Sequence, residues 1–151
     1  MLDILKVALL SMLPISELRG GIPLGLALGI KPLTVFMVAV ISNLLVIPII
    51  FLFFDNIHLH LLKYEKYKKF FDDYIHKKRK KIESKIGTKA EFIALLIFIA
   101  IPIPGTGVWT GSILAWFFNV KRSKAYLAAS LGVLMAGVLV MLASLGLIAL
   151  F

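Results

Sequence analysis

Two charged residues, Glu17 and Arg19, lie in the stretch Leu13-Pro14-Ile15-Ser16-Glu17-Leu18-Arg19-Gly20-Gly21-Ile22-Pro23-Leu24-Gly25, between long apolar runs. An acid or an arginine at bilayer depth costs about 2.5–3.5 kcal/mol on insertion scales, so such groups are kept where they pair, face a water-filled cavity or handle charge. Side chains two apart share a side in extended or broken backbone, whereas on a continuous helix they diverge by about 200°. The prolines and glycines around Glu17 and Arg19 therefore favour convergence on one cavity. The planar guanidinium of Arg19 suits a phosphate or carboxylate. A partly desolvated Glu17 suits proton uptake and release. Together they make an anion-plus-proton site. The bland reading is that they neutralise one another and pin the local fold.

These residues need a membrane frame. The 151 residues are 60% hydrophobic, against about 45–50% in soluble domains, and the mean hydropathy is +0.98. Four apolar stretches stand out: 4–30, interrupted at 14–25; 32–54, continuous; 92–120, interrupted at 102–107 and at Gly111; and 125–151. The two continuous stretches are long enough to span a bilayer. The pieces beside each interruption are short for a span and suit re-entrant hairpins. The division is one membrane domain, 1–151: a first repeat over 1–54, a basic segment over 55–90 and a second repeat over 91–151. Aligning Gly21 on Gly111 puts Leu24 on Leu114, Lys31 on Lys121 and Ala39 on Ala129. Pro/Gly-interrupted segments in corresponding positions of two halves point to a transporter site.

Charge distribution supports hairpins over four kinked spans. Of seventeen Lys and Arg residues, fourteen lie in 63–89 or 121–124. Hairpins place both clusters on one side, which the positive-inside rule makes cytoplasmic, with both termini outside. The net charge of +9 is thus a topology signal rather than a nucleic-acid signal. Tyr64, Tyr67, Phe71, Tyr74 or Ile75, Ile82 and Ile86 recur at helical steps among basic residues, an amphipathic cytoplasmic pattern suited to anionic lipid headgroups. The bland reading is a solvated loop.

Further candidates surround the two breaks. Gly20, Gly21 and Pro23 accompany Glu17 and Arg19. In the second break, Pro102, Pro104, Gly105, Thr106 and Gly107 leave backbone N–H groups that favour an anion at a half-helix N-terminus. Thr106, Thr110 and Ser112 add hydroxyls. Gly21, Gly25 and Gly29 are also spaced for tight helix packing. Trp109 and Trp116 either line a cavity or pack. Asn43, polar and mid-span, is expected to bond to a hairpin or to meet substrate. Gly132, Gly137 and Gly146 suggest a face for a homo-oligomer. There is no cysteine, and His58 and His60 lack metal-ligand spacing, so no metal, cofactor or disulfide is expected. With no nucleophile–base pair and no nucleotide fingerprint, enzyme activity is not expected either.

The first motif, 14–25, with Ile101-Pro102-Ile103-Pro104-Gly105-Thr106-Gly107 later, resembles the putative small multi-drug export protein family of prokaryotic membrane proteins. That family is in turn similar to the DedA superfamily. The resemblance implies two opposed re-entrant hairpins, each followed by a span, and movement of polyprenyl-phosphate or phospholipid headgroups linked to a proton gradient. It implies for Glu17 the role of the first-hairpin acid. Where DedA carries arginines in its second hairpin, 104–111 has none, and Arg19 stands in as the cation.

The resulting expectation is an all-α integral membrane protein of the prokaryotic cell membrane. It is an inverted repeat of two re-entrant hairpins, each followed by a transmembrane helix, translocating an anionic lipid carrier with proton coupling. Its partners are membrane lipids and an anionic lipid or small-molecule substrate. Export of cationic amphiphiles, or a scaffold role for 63–89, are the alternatives.

Overall fold

The computed structural model describes residues 1–69 and 89–148. Among the described residues the architecture is carried by α1 (Leu2–Met12), α2 (Glu17–Ala27), α3 (Pro32–Leu61), α4 (Lys89–Ala100), α5 (Val108–Phe117) and α6 (Arg122–Ile148). No strand occurs among the described residues. Two helices are long and apolar enough to cross a membrane, within 32–58 and 122–146. Each half is thus two short helices and then a long one.

Within each half the short helices fold back on one another. In the first, a Cβ at Gly21 would strike Ser11 and one at Gly25 would meet Val7, so α2 runs antiparallel to α1. In the second, Gly111 of α5 lies against Ile99 and Leu95 of α4. The glycines therefore serve packing. That corrects the breadth of the first break. It covers only 13–16, and Gly20, Gly21, Pro23 and Gly25 are helical. Gly111 likewise lies inside α5 and interrupts nothing. Pro23 lacks the N–H that would bond the carbonyl of Arg19, which loosens α2 one turn past its start.

α2 and α5 end alike. Gly29 and Asn119 both have positive φ, 73° and 56°. The N–H of Ile30 bonds the carbonyl of Gly25, and that of Val120 the carbonyl of Ala115. This six-residue closure stops a helix cleanly, and Lys31 or Lys121 then leads into the long helix.

The long helices run antiparallel. Phe36 and Val40, early in α3, sit 3.0 Å from where a Cβ of Gly137, late in α6, would be. At the other end, Asp55 of α3 binds Arg122 at the start of α6 at 2.6 Å. Gly132 faces Ile99 and the Leu96 carbonyl. Gly132 and Gly137 are thus occupied inside the chain and offer no face to a second copy; Gly146 alone of the three meets open space. α3 also continues past residue 54 to Leu61. Residues 65–69 are helical; the rest of the amphipathic pattern, including Phe71, Ile75, Ile82 and Ile86, lies outside the described residues.

Candidate functional site

The turn before α2 and the turn before α5, the two tips, touch, and Glu17 and Arg19 are where they do. Glu17 opens α2 with φ 47°, a left-handed conformation that costs a non-glycine residue roughly 1–3 kcal/mol and collects at functional sites. The turn turns its carboxylate away from α2, onto α5. One carboxylate oxygen accepts the N–H of Trp109 at 3.3 Å; the other lies 3.5 Å from Nη2 of Arg19. Gly107, at φ 117°, packs directly on this carboxylate, and any Cβ there would overlap it. Glu17 is 5% exposed.

Arg19 reaches across to the second tip as well, donating to the Thr106 carbonyl at 3.1 Å. Both bonds leave from Nη2, so Nε and Nη1 have no acceptor among the described residues. Trp109 closes the contact by donating its indole N–H to the Met12 carbonyl at 2.9 Å. Ser16 donates to the Leu10 carbonyl and steadies the first turn. Glu17 and Arg19, both in the first turn of α2, lie together at the second tip, and their 3.5 Å separation is long beside the usual 2.7–2.9 Å of a charge-assisted bond.

Not every expected group joins them. The Thr106 hydroxyl donates to the carbonyls of Ile101 and Ile103 (2.7 and 2.8 Å), so it shapes its own turn. Pro102, Pro104 and Gly105 form that turn without touching Glu17; Gly105 sits at φ 89° in open space. Gly20 and Gly21 pack on α1. Ser112 is buried with an unpaired hydroxyl.

Asn43 departs from expectation in a telling way. It is 1% exposed, and neither its amide oxygen nor its nitrogen has a partner; it bonds to no hairpin. Two registers fix its level. Gly25 packs on Val35, and α2 turns back into α3 through a tight connection, so counting back along α2 and forward along α3 brings Asn43 to about the level of Glu17. Phe54 packs on Trp116 near the C-terminus of α5 (5.3 Å). Asn43 lies about three turns earlier on the same face of α3, which is the level of the start of α5. Pro48 deprives the neighbouring Leu44 carbonyl of its helical donor.

A second polar cluster, which apolar patterning hid, lies at the far end of α5. Asp55 accepts Trp116 Nε1 at 2.8 Å and both its oxygens meet Nη2 of Arg122, at 2.7 and 2.6 Å. Arg122 also sits over the Phe51 ring at 4.7 Å. His58 packs on Trp116, with Nδ1 3.3 Å from the Tyr67 hydroxyl. The hint was a lone acid closing an apolar run. Both tryptophans therefore act through their N–H groups: α5 is tied by Glu17 at one end and Asp55 at the other.

No curated protein matches the chain, and neither does any solved structure. The family described as putative small multi-drug export protein matches residues 17–139. That span begins at Glu17 and takes in Arg19, the second tip, α3 with Asp55, and α6 as far as residue 139. The chain belongs to the putative small multi-drug export protein family, a family of membrane transport proteins.

Proposed function

We propose that the protein is a proton-coupled membrane translocator of an anionic headgroup, in the polyprenyl-phosphate class, working through two opposed re-entrant hairpins. The observation that carries this reading is the contact of Glu17 and Arg19 with the second tip at Trp109 and Thr106. A guanidinium with unspent donors beside a half-helix N-terminus is an anion site, and Glu17 is the group that moves a proton.

The antiparallel long helices support the hairpin topology. Were each interrupted segment one span, α3 and α6 would be second and fourth crossings and would run parallel. Each short helix is about 15–18 Å long, half the hydrocarbon thickness, so hairpins entering from opposite sides meet near the midplane, at the level of Asn43. The matching ends of α2 and α5 support an inverted repeat. The Asp55–Arg122 pair and the lysines after α3 share one end, which is the cytoplasmic end by the positive-inside rule.

The family description favours a second reading, export of cationic amphiphiles with Glu17 as the binding acid. Arg19 separates the two. Arg19→Ala abolishes prenyl-phosphate transport in proteoliposomes under the first reading. Under the second it leaves cationic-dye efflux intact, and retained prenyl-phosphate transport overturns the first.

A further inference from the structure

Resting on that reading, we infer that the carboxylate of Glu17 is a resident stand-in for the substrate's own anion, and that a singly charged oxyanion enters only as Glu17 is protonated. Proton and anion therefore bind together and cross in the same direction.

The argument is one of occupancy. Two sets of donors at the tip contact favour an anion: the Arg19 guanidinium and the backbone N–H groups opening α5. Glu17 engages both at once, at 3.5 Å and 3.3 Å. These lengths are at the long end of hydrogen bonding, so the carboxylate is seated without being clamped. A second oxyanion cannot share those donors with it in a site this buried, because like charges at close range disfavour joint ionisation. No other charged side chain among the described residues takes part. Asp3 and Lys6 of α1 pair with one another at 2.9 Å in an exposed position. α3 has no charged residue before Asp55, which is engaged by Arg122, as is the start of α6. Proton exchange on Glu17 is then the one way to free the donors. With Glu17 neutral, a monoanion restores the charge that the site held before, so the loaded and empty sites are isoelectric.

Asn43 supplies the independent sign of a ligand. Its amide is buried and unpaired, and burying an amide without hydrogen-bond partners is unfavourable. An oxyanion that also carries a hydroxyl, as a singly protonated phosphate ester does, offers that amide both an acceptor and a donor. Arg19 Nε and Nη1 meet the remaining oxygens. Inorganic phosphate and a prenyl-phosphate headgroup share this chemistry.

The test is binding of farnesyl phosphate, and separately of inorganic phosphate, to the full-length protein in detergent from pH 5.5 to 8, for wild type and Glu17→Gln. The ratio of the two affinities cancels the titration of the phosphate itself. The expected result is that Glu17→Gln binds at least about tenfold more tightly at pH 8 and about equally at pH 5.5, since a competing ionisation weakens binding by up to tenfold per pH unit. Binding of farnesyl phosphate alone identifies a lipid headgroup; equal binding of inorganic phosphate identifies a free anion. Either way the ratio decides. Equal or weaker binding by Glu17→Gln at pH 8 overturns the inference while leaving the anion site standing. No binding of either probe to either protein overturns the anion reading as well. Asn43→Leu, measured beside Asn43→Ser, is expected to weaken binding at least tenfold at all pH values; unchanged affinity removes Asn43 from the site.

Discussion

The carboxylate of Glu17 accepts a hydrogen bond from the backbone N–H of Trp109, joining the first turn of α2 to the first turn of α5 across the two halves of the chain. One tip thus supplies the acid and the arginine, and the other the helix N-terminus. Neither tip makes the site alone.

The closeness of Gly107 to that carboxylate makes a sharp test. Gly107→Ala adds a Cβ into Glu17 at a φ of 117°. It is expected to destabilise the protein by about 1–3 kcal/mol and to abolish transport. Gly105→Ala, with positive φ but open space around it, is expected to retain transport. Thermal unfolding in detergent checks both. Because the clash is with Glu17, Glu17→Ala is expected to recover part of the Gly107→Ala loss; strict additivity would contradict the contact.

The Asp55–Arg122 pair ties the end of α3 to the start of α6, with side chains 35% and 52% exposed. Solvent screening limits its coupling to about 0.2–1 kcal/mol in a double-mutant cycle. Its larger effect is expected on access. Asp55→Ala removes the acceptor of both Trp116 and Arg122, so a cysteine placed at Ala115 is expected to react faster with a water-soluble maleimide. An unchanged rate means that the cluster holds nothing shut.

Topology is open to a clean test because the chain has no cysteine. Lys31→Cys and Lys121→Cys are expected to label from opposite sides of the membrane with an impermeant reagent. Labelling from one side would mean that the interrupted segments cross.

The sequence carried the long helices, the second break and the Glu17–Arg19 pair, because apolar length and an acid beside prolines are local signals. The first break is narrower than its run of prolines and glycines suggests. Gly20, Gly21 and Gly25 look like loop residues until α1 is seen packed against them, and only tertiary contact distinguishes a packing glycine from a turn glycine. Pro23 looked like a breaker, yet α2 continues through it. The Asp55–Arg122 pair joins residues 67 apart in the chain, so no local pattern signals it. Asn43 was singled out by its polarity alone; that it lacks a partner is visible only once the surrounding helices are in place.

The central claim, that Glu17 carries the proton that accompanies an anion, is tested most directly by flipping of a fluorescent polyprenyl phosphate in proteoliposomes. An imposed pH gradient and, separately, an imposed voltage would be applied to wild type and Glu17→Gln. The expected result is acceleration by the pH gradient in wild type, little response to voltage, and loss of the gradient response in Glu17→Gln. Gradient-driven flipping that persists in Glu17→Gln would contradict it.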